Sequence, residues 1–182
     1  MTDAPVFTPD PWKAVMTGNI TLIARTAPGS REVTATSRAV TEADTAELTR
    51  LFLEAYGSKI SGTAEDAERM IRGAFQGDFG PFLSRESQLI EDENGTPVAA
   101  AVVLERRKDR TLPDVPYLFE LFTASSHRRR GYAEQLVRQV MASLHESGYE
   151  EVCVRIPEDN AAALALYLTL DFNRWSPEQD EF

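Results

Sequence analysis

Apolar positions recur along this chain in two rhythms. Leu48, Leu51, Phe52 and Ala55 fall three and four residues apart, which is one face of a helix. Thr41 precedes that run as a cap, and Gly57 ends it. A second helix is expected from about Ala64, with Ala67, Met70, Ile71 and Phe75 on one face, stopping near Gly77. A third is predicted over 131–147, burying Leu136, Val137, Val140, Met141 and Leu144, with Gly148 as its C-cap. Asn160 caps a short last helix that runs through Leu168.

Between these lie strand-like segments. Residues 21–26 and 31–40 flank the turn Ala27-Pro28-Gly29-Ser30. Residues 88–93 and 97–106 flank Glu93-Asn94-Gly95, and Asn-Gly is a strong hairpin signal. The run PVAAAVVL at 97–104 is apolar throughout, so it is expected in the centre of a sheet. Further strands are expected at 117–123 (YLFELFT), 151–156 (EVCVRI) and 172–175, with a loop over 77–86. This order gives an α+β or α/β fold around a mixed sheet. Residues 1–30 read as an arm with room for one extra strand, and 31–182 as a single domain.

Composition narrows the function. Of 182 residues, 42% are hydrophobic, which is ordinary for a globular chain. The net charge of −10 argues against nucleic acid or an anionic membrane as partner. It either favours an amine-bearing partner or serves solubility alone. One cysteine and two histidines speak against a zinc site and against an internal disulfide. No apolar run is long enough to span a membrane, and the first residues lack a signal-peptide pattern, so the expected setting is cytoplasmic.

Against that acidic background, Arg128, Arg129 and Arg130 stand together at a predicted helix start, where cations are unfavourable. The arrangement makes sense if an anion sits there. A strand feeding a helix N-terminus leaves backbone N–H groups free, and Gly131 and Ala133 are small enough to let a phosphate approach. The segment is neither a Walker loop nor a dinucleotide fingerprint, since both glycine patterns are missing.

Arg128-x-x-Gly131-x-Ala133 resembles the Arg/Gln-x-x-Gly-x-Gly/Ala motif of the GNAT family of acyl-CoA-dependent N-acyltransferases. Leu118, Leu121 and Thr123 match the apolar positions of the strand that precedes that motif. Asn160-x-x-Ala163-x-x-Leu166-Tyr167-x-x-Leu170-x-Phe172 is similar to a second family segment, in the right order after a helix and a strand. The likeness covers roughly 32–175 and is strongest over 117–175. It implies a mixed, mostly antiparallel sheet of six to seven strands, with splayed central strands and about four flanking helices. Four departures stand out. Arg129 replaces a frequent glycine, Ser125 a frequent proline and Asp171 the glycine before Phe172, and the last strand is expected to be short or missing.

The resemblance also implies an activity: direct transfer of an acetyl group from acetyl-CoA to a primary amine of a small molecule or peptide. An inactive CoA-binding module is the alternative. By the same carry-over, Leu121, Phe122 and Thr123 hold the pantetheine arm and polarise the thioester. Arg128, Arg129, Arg130, Gly131, Tyr132, Ala133 and Glu134 form the pyrophosphate cradle. Tyr167 matches the tyrosine that protonates the departing thiolate, with plain packing as its other reading. Asn160 contacts the cofactor, caps the helix, or does both.

Glu120 is the single acid within YLFELFT and is the candidate general base, acting directly or through water, unless it points to solvent or binds a cationic substrate. Cys153 reads as a buried core thiol, and no metal is expected. Tyr56, Phe79 and Phe82 are candidates for the acceptor side or for the core, and Asp66, Glu68 and Asp78 are candidates for the acceptor side or ordinary surface acids. A homodimer is compatible with the sequence.

Overall fold

The structure, a computed structural model, describes residues 18–29, 35–57 and 62–177. The expected arm before residue 18, and residues 31–34 of the second expected strand, lie outside the described residues. The described residues form seven strands and four α-helices: β1 (Asn19–Arg25), β2 (Ser37–Ala39), α1 (Thr45–Tyr56), α2 (Ala64–Gln76), β3 (Gln88–Glu91), β4 (Pro97–Leu104), β5 (Tyr117–Thr123), α3 (Tyr132–Glu146), β6 (Glu151–Pro157), α4 (Ala161–Thr169) and β7 (Asn173–Trp175).

All seven strands share one sheet in the order β2-β3-β4-β5-β6-β1-β7. Neighbours run antiparallel except β5 and β6, which are parallel. The sheet is therefore mixed and mostly antiparallel, as the resemblance implied. β1 does not lie beside β2, although a turn separates them in sequence. It pairs along its whole length with β6, from Asn19↔Pro157 to Arg25↔Glu151, and carries the three-residue β7 on its other side. The strand expected at 21–26, the extra strand for which the arm had room, is thus β1 at Asn19–Arg25 and is built into the sheet.

β4 is buried at every position, as its uninterrupted apolar run requires. The helices cover the sheet with the faces their spacing predicts. Leu48, Leu51 and Phe52 of α1 are fully buried. Leu136, Val137, Val140, Met141 and Leu144 are the buried residues of α3. Burying such side chains contributes about 1.5–3 kcal/mol each and fixes how the helices sit. Phe52 places its ring 5.8 Å from Phe122 of β5, edge to face, and 4.6 Å from Tyr56, one turn further along α1. Tyr56 is thereby brought over β5.

Helix ends follow local chemistry. Thr41 and Asp44 form a capping box around the short turn Glu42–Asp44 that leads into α1. Thr63 and Asp66 do the same for α2, and Gly77 closes α2 in the left-handed region at φ 82°. Gly148, at φ 89°, stands one residue beyond the Ser147 C-cap of α3. Among the described residues no helix is long and apolar enough to cross a membrane.

Candidate active site

The centre of the sheet is open. β5 and β6 meet in register at Tyr117↔Cys153, the one paired position between them, where the Cys153 N–H donates to the Pro116 carbonyl at 2.9 Å. Beyond that point each strand stays with its outer neighbour. β5 follows β4 to Ala99↔Thr123, and β6 follows β1 to Asn19↔Pro157. The two halves of the sheet diverge like the arms of a V. The closed end is braced by Arg107, whose guanidinium lies 5.3 Å from the ring centroids of Tyr117, Phe79 and Phe119. A cleft of about 600 Å³ fills the gap, with residues 118–123 of β5 along one wall and 154–157 of β6 along the other.

β5 carries a bulge. Val102 pairs with Glu120 and Val103 with Leu118, so Phe119 is the extra residue. Such bulges re-aim the side chains beside them. Here Phe119 and Glu120 both border a small void with Leu48 of α1 and Ile71 of α2. Glu120, the acid picked out within an apolar strand, also lines the cleft, and it is only 3% exposed.

The N-terminus of α3 opens on the same cleft. Gly131 caps it at φ 77°, and no side chain caps the helix. Gly131, Tyr132, Ala133 and Glu134 all line the cleft, so the first N–H groups of the helix face it. Arg129 stands at φ 65°, a left-handed conformation that glycine takes without penalty. This is the position where the family often has glycine, and arginine keeps the glycine-like backbone there.

The three arginines fan apart. Arg128 lines the cleft and donates to the carbonyl of Ala55 at the end of α1. Arg129 lines the cleft as well. Arg130 borders a separate cavity of about 750 Å³ on the other side of the loop, with Arg38, Glu91 and Asp92. His127 and Tyr132 border both spaces, and their rings stack at 6.4 Å. Glu134 pairs with Arg138 one turn along α3 at 2.9 Å.

α4 closes the cleft from below. The Asn160 side-chain oxygen accepts from the Ala163 N–H at 3.1 Å, so the expected cap is formed, and Asn160 also lines the cleft. Tyr167 is the buried residue of α4, 3% exposed and packed edge-on to Phe172 at 5.0 Å. Burial, and after it the charges of Glu120 and Tyr117, push its phenol well above the ordinary tyrosine value. It therefore stays protonated and remains a donor. Asp171, just beyond α4, is left-handed at φ 65°, the conformation of the glycine it replaces.

Leu121, Phe122 and Thr123 form the cleft wall nearest the arginine loop. Cys153 is fully buried, and burial pushes its thiol up to about 12. It is an inert core thiol, as the sequence suggests. Among the described residues no group of three or more His, Cys, Asp or Glu side chains is placed to hold a metal ion.

The acceptor-side candidates separate. Tyr56 lines the cleft, and its hydroxyl donates to Glu120 Oε2 at 3.1 Å. Phe79 stacks on Phe119 at 5.0 Å, and Phe82 meets Phe75 edge-on at 4.8 Å. Asp66 belongs to the α2 cap, and Glu68 pairs with Arg72. Arg155 is a wall residue that pattern reading did not single out. It is bound to Asp109 at 3.3 Å and to the Thr111 hydroxyl at 3.0 Å, which ties β6 to the loop before β5.

Comparison with known proteins adds three findings. Residues 45–172 match the model of a family described as acetyltransferase (GNAT) family. Human N-acetyltransferase 8 is 40% identical over 57 residues, which make up 31% of this chain and 25% of that protein. Among solved structures, a GCN5-related N-acetyltransferase from Sphaerobacter thermophilus superposes with a TM-score of 0.64 at 16% identity, covering 87% of this chain and 48% of that one. The ribosomal-protein-S18-alanine N-acetyltransferase of Escherichia coli superposes at 0.60 with 21% identity, covering 78% and 79%. The chain thus spans less than half the length of the first two of these relatives, and the structural likeness is one of fold.

Proposed function

The chain belongs to the GNAT acetyltransferase family, and on that premise we propose that it transfers an acetyl group from acetyl-CoA directly to a primary amine of a small molecule or peptide. One observation carries the reading: a single cleft joins the uncapped N-terminus of α3 to the buried pair Glu120 and Tyr167. A diphosphate suits the first end and acyl transfer suits the second.

In this reading the N–H groups of residues 131–134, with Arg128 and Arg129, hold the pyrophosphate. Arg130 acts from the far side of the loop. The edge of β5 at Leu121, Phe122 and Thr123 offers backbone groups to the pantetheine amides and to the thioester oxygen. The amine nitrogen attacks the thioester carbon. A C–N bond forms, the ammonium proton passes to Glu120 directly or through water, and the C–S bond breaks as Tyr167 donates its proton to sulfur. Asn160 holds the start of α4, and so the position of Tyr167. Cys153 takes no part. A buried thiol and an acidic chain with one cysteine suit a reducing, cytoplasmic setting.

A thermal-shift titration with acetyl-CoA, CoA and ATP side by side tests the donor. A ligand that binds only the folded state raises the melting temperature as it passes its dissociation constant. Stabilisation by acetyl-CoA and CoA but not ATP is expected, followed by thiol release with a panel of amines. Absence of any shift with acetyl-CoA overturns the reading.

A further inference from the structure

Glu120 reaches its place on a long side chain from a bulged strand, and something must hold its carboxylate. α1 supplies the group: the Tyr56 hydroxyl donates to Glu120 Oε2 at 3.1 Å. Tyr56 is itself fixed from two sides. Its ring packs on Phe52 at 4.6 Å, and the carbonyl of the preceding residue, Ala55, accepts from the Arg128 guanidinium. A cation on the last carbonyls of a helix is favourable, so this contact steadies the turn that carries Tyr56.

The elements packed around Glu120 present mostly apolar groups to it. α2 contributes Ile71, Ala74 and Phe75 to the void beside it, and β4 contributes Val102, all apolar. α4 contributes Tyr167, whose phenol is destabilised as an anion by the Glu120 charge. Arg128, Arg129, Arg155, Glu134 and His127 line the same cleft. Apolar burial favours a neutral carboxyl, whereas a hydrogen bond donated to the charged form favours the carboxylate.

Resting on the acetyltransferase reading, we propose that Tyr56 is a positioning residue, whose hydroxyl orients the Glu120 carboxylate in the cleft and keeps it ionised to accept the amine proton. This gives α1 a part in the chemistry besides its packing. It also links the arginine loop to the base through one helix end, because Arg128 binds the carbonyl of Ala55, the residue before Tyr56.

The test is a carbon-13 NMR titration of the glutamate carboxyl groups, with the Glu120 signal assigned by its absence in Glu120→Gln. In Tyr56→Phe, which keeps the ring, the Glu120 midpoint is expected to rise by roughly one pH unit. With acetyl-CoA and any panel amine that the wild type acetylates, the acidic limb of the rate profile should move up by the same amount. KM for acetyl-CoA should stay within about twofold. An unchanged Glu120 midpoint overturns the proposal. Tyr56→Leu is a second hydroxyl-free variant should the first fail to fold. If the wild type neither binds acetyl-CoA nor turns over, the acetyltransferase reading falls, while the carboxyl midpoint still decides whether Tyr56 acts on Glu120.

Discussion

The backbone N–H of Gln135 donates to the carbonyl of Gly131 at 3.0 Å, so the first hydrogen bond of α3 is accepted by a residue in the left-handed region, at φ 77°. That backbone leaves the following N–H groups turned to the cleft. A Cβ built on Gly131 meets nothing within 4 Å, so a side chain there has room but carries about 1 kcal/mol of strain. Gly131→Glu is therefore expected to fold, and to lose stabilisation by CoA, because a carboxylate would stand where the proposed function puts the diphosphate. Undiminished thermal stabilisation by CoA in this variant would remove the cradle from this loop.

Tyr167 is a buried donor whose environment disfavours its anion. Tyr167→Phe keeps the ring against Phe172 and removes the proton. Turnover should fall roughly a hundredfold, while the CoA-dependent thermal shift stays near that of the wild type. Turnover unaffected by the change would make Tyr167 a packing residue.

Asp171 holds a left-handed backbone, φ 65°, at an exposed position where glycine carries no steric strain. Asp171→Gly should stabilise the fold by about 1 kcal/mol, a rise in melting temperature of about 3 °C. Differential scanning calorimetry reads this directly.

The Arg38 guanidinium donates two hydrogen bonds to Asp44 and, with the Thr41 backbone N–H, holds its carboxyl below the usual carboxylate range. A carboxyl depressed in the folded state contributes stability above its unfolded pKa of about 3.9 and loses it as pH falls through the folded value. Asp44→Asn should cost roughly 1–2 kcal/mol at pH 7, with the difference narrowing below about pH 4. Urea unfolding at the two pH values checks the sign.

Local signals carried most of the elements. The apolar runs at 97–104 and 117–123 became β4 and β5 at those bounds, and the periodic face of α3 is the buried one. Asn160 caps α4 because capping depends on residues a few positions apart. What stayed hidden is non-local. Nothing in residues 19–25 tells that they pair with a strand more than a hundred residues away. The bulge at Phe119 depends on register with β4, and register is a property of two strands. Arg128 and Arg130 are near neighbours in sequence, yet they face different cavities, because the left-handed Arg129 between them reverses the loop. In sequence Tyr56 is one aromatic among several acceptor-side candidates, and its contact with Glu120 exists only in the fold.

The single rung between β5 and β6 has a consequence for the kind of molecule that can lodge there. An ordinary open sheet has two rims, and here they are β2 and β7. Parting the middle adds two more, turned inward on the cleft. Those inner rims still present peptide groups at the pitch of an extended chain. A slender guest that carries amides at similar intervals completes the ladder, and a guest without them leaves those groups to water. On the proposed reading, selection in this cleft begins with the cadence of the guest's own backbone, ahead of any side chain.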